Sequence, residues 1–206
     1  MTFLKTLILK DFKLILPEIL VCSTLLFFMF GGTFNISAFH ITFTILVLFP
    51  SIICNISMNS KEDRNDSIKL FLSMPIDKKT IIISKYLSSI LIFFYYFLLF
   101  SIIVFSGTNV SDAIFISMNY FCLTTLISLT WCSVYFSIYF ISGRIINIIS
   151  PFLIFIGSML LIKFSKCFLN FNFYSYFKYL LIVLCLTALS ISICIFVLKN
   201  KNFKRR

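Results

Sequence analysis

The sequence predicts an all-α membrane protein, a single domain over residues 1–206. It has six transmembrane helices, an N-terminal amphipathic interfacial helix, a short cytoplasmic helix between spans 2 and 3, and both termini in the cytoplasm. Three observations predict this. Sixty per cent of the residues are hydrophobic and 12% are charged, with a mean hydropathy of +1.06; a soluble domain carries about a quarter charged residues. The apolar residues fall into runs of about 20, the length of helix that crosses a hydrocarbon core of about 30 Å. The basic residues stand at the ends of those runs, as membrane orientation requires.

That placement also accounts for the net charge of +11. In a soluble chain such a charge would suggest nucleic acid; here it marks membrane sidedness. The 28 Phe and the abundant Ile suit lipid-facing surfaces. The seven Cys are odd in number, lie mostly inside apolar runs and include no C-x-x-C pair. They read as buried small apolar residues rather than as disulfides or metal ligands.

Residues 1–16 form the interfacial helix. Phe3, Leu4, Leu7, Ile8, Phe12, Leu14 and Ile15 share one broad face; Lys5, Thr6, Lys10 and Lys13 share the other. Asp11 falls inside the apolar arc, which implies a cation partner elsewhere or a cover of protein. Pro17 disfavours helical geometry at Leu16 and is expected to turn the chain into the membrane. The basic start also suits a signal peptide, but there is no convincing small-x-small cleavage site, so the segment is read as mature protein.

The spans are placed at about 17–34, 38–58, 84–106, 112–141, 145–162 and 178–198. Gly31-Gly32-Thr33-Phe34-Asn35 is the turn between spans 1 and 2. Residues 106–112 separate spans 3 and 4, with Ser111 or Asp112 as the cap of the following helix. Gly143-Arg144 separates spans 4 and 5. Span 4 is the longest and is expected to tilt or to project. Alternate loops carry fifteen Lys and Arg on one side and three on the other, which puts both termini and the central polar segment in the cytoplasm. The last external loop, 163–177, is crowded with Phe and Tyr. It reads as an aromatic belt or as a short re-entrant hairpin.

Residues 59–86 are an island of charge, with six of the eighteen Lys and Arg and four of the seven Asp and Glu. Such an island must lie where water or another protein solvates it. Glu62, Asp63 and Asp66 are expected near the start of a short helical stretch, where the helix dipole favours them. Ile68, Phe71 and Leu72 form an apolar ridge, and Pro75 ends the stretch. Asp77 then caps a second helix that runs through Ile81-Ile82-Ile83 into span 3. A soluble partner could grip that shape; a solvated loop that only sets topology fits it equally.

The five Gly, at 31, 32, 107, 143 and 157, form no phosphate-binding loop, so the chain is expected not to be an enzyme and to bind no nucleotide in that way. No cofactor or metal is expected either. The one His, His40, lies at an external membrane edge without partner ligands. Glu62-Asp63-Arg64 has the look of an intramembrane protease motif but lacks the further His or Asn groups facing one cavity. Spans 2 to 6 carry no Asp, Glu, Lys or Arg at mid-depth, unlike carriers driven by protons or sodium. Energy for transport is therefore expected from outside the chain. Asn119, Thr124, Ser128 and Ser133, along span 4, are candidates for a translocation path or dimer seam, with interhelical hydrogen bonding as the plainer role.

Residues 72–86, Leu-Ser-Met-Pro-Ile-Asp-Lys-Lys-Thr-Ile-Ile-Ile-Ser-Lys-Tyr, resemble the signature of ABC-2-type transporter permeases. The acidic-polar stretch Glu62 to Asn65, the amphipathic start, and the two spans before and four after the island fit the same family. The resemblance implies an exporter permease subunit that pairs with a second permease copy and with a separately encoded ATPase, which holds the ATP and Mg. It implies that residues 60–82 couple to that ATPase through Glu62, Asp63, Arg64, Ile68, Phe71, Leu72, Pro75 and Lys79. It also makes 1–16 the connecting helix beside them, with a bacterial plasma-membrane location and a cargo such as a peptide or lipophilic toxin. Two rivals remain. A vitamin-uptake subunit would present small residues on span 1, where Phe27, Phe28 and Phe30 stand. A membrane immunity or assembly protein would need no coupling helix.

Overall fold

A computed structural model describes residues 2–30, 42–64, 77–142 and 173–200. These residues form five α-helices: α1 (Thr2–Phe30), α2 (Phe49–Arg64), α3 (Lys78–Gly107), α4 (Val110–Ser142) and α5 (Phe173–Asn200). A π-turn, Thr44–Leu48, leads into α2. Three helices are long and apolar enough to cross a membrane: α3, α4 over Val110–Ile141, and α5 over Tyr176–Leu198. The all-helical class holds. The span expected at 145–162, Arg144 and His40 lie outside the described residues.

The first helix differs from expectation. α1 runs through Pro17 without ending there. Leu7, Asp11, Ile15 and Ile19 recur every four residues and are all buried. That stripe packs on α2 and α3 on both sides of the proline. Continuous burial outweighs the local preference of Pro17, whose side chain lies on the exposed face.

The π-turn has a local cause. Pro50 has no N–H for the carbonyl four residues back, and its ring crowds that carbonyl. The chain widens instead, and the Phe49 amide donates to the Thr44 carbonyl in an i→i−5 bond. Phe43, one residue before the turn, packs at a tilt against Tyr120 at 4.6 Å and meets Phe100 edge-on at 5.4 Å between ring centres. Those rings tie the turn to α3 and α4.

Asp77 caps α3 as the sequence predicts, accepting the Lys79 amide at 3.2 Å. Only Thr108 and Asn109 separate α3 from α4, and Asp112 lies inside the first turn of α4 rather than capping it. α4 spans 33 residues, about 50 Å at about 1.5 Å per residue, longer than the hydrocarbon core. α5 begins at Phe173, so the last five residues of the expected 163–177 loop are helix.

α4 packs along α3 and α5. A four-residue hydrogen-bonded node joins all three. Ser190 donates to the Ser133 carbonyl at 2.7 Å, and its oxygen also meets the hydroxyls of Ser137 at 2.6 Å and Tyr86. Replacing Ser190 with Val leaves the buried Tyr86 hydroxyl short of a partner. The expected loss of stability is about 1–2 kcal/mol. Thermal unfolding in detergent reads it; an unchanged midpoint would show that the node does not hold the three helices.

Candidate functional site

One end of the bundle gathers the charges. Asp11 lies in the buried stripe of α1 and is 1% exposed. Glu62 is in the last turn of α2 and is fully buried, and Lys85, near the start of α3, is 5% exposed. Lys85 Nζ donates to Asp11 Oδ1 at 2.9 Å and pairs with Glu62 Oε2. Lys10 pairs with Glu62 Oε1 and stands 3.3 Å from Asp11 Oδ1. Ser88 Oγ donates to Asp11 Oδ2 at 2.9 Å. Two cations and two carboxylates make the cluster neutral, the condition under which buried ions are tolerated.

The position of Glu62 corrects the sequence reading. Glu62 and Asp63 lie well past the first turn of α2 instead of near the start of a helix. A buried carboxylate needs a counter-ion. Glu62 stays there because Lys10 and Lys85 stand against it. Asp63, half-buried beside it, accepts the Tyr139 hydroxyl at 2.8 Å.

A second set of contacts braces the same end. Lys61 pairs with Glu18 and donates to the Leu14 carbonyl at 2.9 Å. Ser57 Oγ donates to Glu18 at 3.0 Å. Asn59 Nδ2 donates to the Tyr135 hydroxyl at 3.3 Å, and Lys78 Nζ to the Leu198 carbonyl at 3.1 Å. Residues 57–63 and 78–88, the two flanks of the polar segment, are thus fastened to α1, α4 and α5. The arrangement holds charge in fixed places. Among the described residues no group of three or more His, Cys, Asp or Glu could hold a metal.

The residues expected to couple to a partner therefore separate. Glu62 is inward and ion-paired, and Asp63 is half-buried. Arg64 and Lys79 are exposed. Ile68, Phe71, Leu72 and Pro75 lie outside the described residues. On α4, Asn119 is exposed while Thr124, Ser128 and Ser133 are buried. Their hydroxyls donate to carbonyls of their own helix: Thr124 to Tyr120 at 2.7 Å, Ser128 to Thr125 at 3.0 Å, Ser133 to Thr130 at 2.9 Å. These four do not share one face. Lys10, Lys85 and Ser88 were not among the expected site residues. The one signal for them was Asp11, a carboxylate in an apolar arc that demands a cation.

Residues 6–199 match the family described as ABC-2 family transporter protein. The chain belongs to the ABC-2 transporter family. The match extends the resemblance at residues 62–86 to nearly the whole sequence. As an ABC-2 protein this chain is a membrane subunit of a transporter, not itself catalytic, of a class that associates with an ABC ATPase. No curated protein and no solved structure matches it.

Proposed function

We propose that this ABC-2 protein is the permease of an ATP-driven exporter whose ATPase is a separate chain. It moves a hydrophobic or amphipathic cargo, such as a peptide or a lipophilic toxin, across a bacterial plasma membrane. Both termini and the polar segment face the cytoplasm, where fifteen of the eighteen Lys and Arg are then collected. The permease works with a second copy of itself or a homologue, and ATP and Mg reside in the ATPase. Residues 60–82, with Arg64, Lys79 and the ridge of Ile68, Phe71 and Leu72 before Pro75, seat against that ATPase. Asn119, which is exposed on α4, contributes to the contact with the second permease copy.

The neutral ion cluster of Lys10, Asp11, Glu62 and Lys85 carries this reading. A loop that only set topology would need its charges in water. Here the flanks of the polar segment are instead locked into three helices by buried ions, at the desolvation cost that burial entails. A push on the segment then moves α1, α2 and α3 together, which is what coupling to an outside ATPase requires.

Co-expression with a candidate ABC ATPase tests it. The wild-type chain should co-purify with that ATPase and transport only with ATP. Deleting residues 66–74 should cut both co-purification and transport by about tenfold or more, equivalent to about 1.4 kcal/mol, with membrane insertion retained. Transport by the chain alone, without nucleotide, would overturn the proposal.

A further inference from the structure

α1 carries two opposite stripes. Leu7, Asp11, Ile15 and Ile19 are buried in the bundle. Lys5, Leu9, Lys13, Leu16, Leu20 and Thr24 recur every three or four residues on the other side, and all six are exposed. Charge divides this outer stripe at Lys13. Between Leu16 and Leu25 no exposed residue of α1 is charged; Glu18, the one acid of that stretch, is half-buried and pairs with Lys61 of α2. The sequence places the start of span 1 at the same point, at about residue 17.

The two outer lysines differ from the other cations at this end. Lys10, Lys61 and Lys85 each pair with a carboxylate. Lys5 and Lys13 have no ion-pair or hydrogen-bond partner among the described residues. Leu9 lies between them 50% exposed, and Phe3 beside them is 65% exposed. Unpaired cations interleaved with bare apolar side chains fit the head-group zone of a membrane, where both kinds find partners. From Leu16 to Leu25 the stripe covers about 14 Å at about 1.5 Å per residue, close to one leaflet's half of a hydrocarbon core of about 30 Å.

We propose that the outer face of α1 is a docking surface for an acidic phospholipid. The anionic head group pairs with Lys5 and Lys13, and the acyl chains lie along Leu16, Leu20 and Leu25. Continuity decides for a lipid. The stripe runs unbroken from the lysines to leucines at membrane depth, which a soluble protein does not reach. A second copy packed on this face about a two-fold axis would bring its own unpaired lysines to the contact, with no exposed carboxylate on the stripe to balance them. On its inner side the same helix holds Lys10 and Asp11 of the ion cluster. Bound lipid therefore anchors the helix on which that cluster is built. The proposal needs only that α1 enters a bilayer and does not rest on the exporter reading.

Thermal unfolding of the full chain in dodecyl maltoside tests it, with dioleoylphosphatidylglycerol or dioleoylphosphatidylcholine titrated in. The acidic lipid should raise the midpoint saturably, at about tenfold lower concentration than the zwitterionic one. That preference should shrink as salt rises. Lys5→Gln with Lys13→Gln should remove most of it, and Lys5→Arg with Lys13→Arg should keep it. Arg64→Gln with Lys79→Gln, which changes two exposed cations off this face, should leave it intact. Glycerol 3-phosphate, a head group without chains, should not shift the midpoint. Native mass spectrometry of the wild type, which should retain the acidic lipid in preference, reads the same binding without unfolding. Equal response to the two lipids in the wild type would overturn the surface, and needs no variant to observe. So would a preference that survives the paired Gln variant, a loss as large on changing Arg64 and Lys79, or a full shift with glycerol 3-phosphate. No measurement here involves the ATPase, so failure leaves the coupling proposal standing, and the reverse holds.

Discussion

Lys85→Met should destabilise this permease strongly. Lys85 is the buried one of the two cations that touch both carboxylates, Asp11 and Glu62; the other is Lys10. Its loss leaves two anions and the half-exposed Lys10, so one carboxylate keeps no full counter-ion. Removing one member of a buried ion set costs about 3–5 kcal/mol, because the survivors stay desolvated without their partner. Met keeps the length and packing of the side chain, so the loss reports charge rather than a cavity. Restoring neutrality should restore much of the stability: Lys85→Met with Glu62→Gln retains the Lys10–Asp11 pair and a polar group at 62. The unfolding midpoint in detergent, read by circular dichroism, checks both. Equal midpoints for wild type and Lys85→Met, or a double variant no better than the single, would show that the cluster does not act as a charge-balanced unit.

The same cluster changes what a charge reversal at 62 tests. From the sequence alone, Glu62→Arg is expected to uncouple the permease while leaving insertion intact. With Glu62 buried between Lys10 and Lys85, the new guanidinium would stand beside two cations with only Asp11 to balance three. Folding would fail before coupling could be measured.

Much of the architecture was legible because bilayer physics leaves few options. Apolar runs of about 20 residues must be helices, since no other open structure satisfies its backbone in hydrocarbon. Hence α3, α4 and α5 lie close to the expected spans, and Asp77 caps where a short acidic side chain before Lys-Lys-Thr should. Pro17 misled because a local rule was applied where a four-residue stripe of burial decides. The ion cluster was hidden for a different reason. Asp11, Glu62 and Lys85 are 51 and 23 positions apart in turn, and charge in a polar stretch looks the same whether it faces water or a counter-ion. Only Asp11, stranded in an apolar arc, betrayed that a cation had to come from elsewhere.

Fold and coupling are therefore carried by different charges within one island, and they should be separable. Arg64 of α2 and Lys79, in the first turn of α3, are both exposed at the edges of the polar segment. Arg64→Glu combined with Lys79→Glu reverses the two outward charges and leaves the inward set of Glu62 and Lys85 untouched. Both side chains are exposed, so the effects on stability are small. The unfolding midpoint should stay near that of the wild type. Association with the ATPase should fall by about tenfold or more at low salt, since charges at a contact rim act mainly through steering and complementarity. The deficit should shrink as ionic strength rises and the screening length falls below about 8 Å. Titration of the purified ATPase onto nanodisc-embedded permease at several salt concentrations measures both. Wild-type affinity with wild-type salt dependence would mean that the ATPase does not sit on these flanks, and the coupling role of residues 60–82 would go with it.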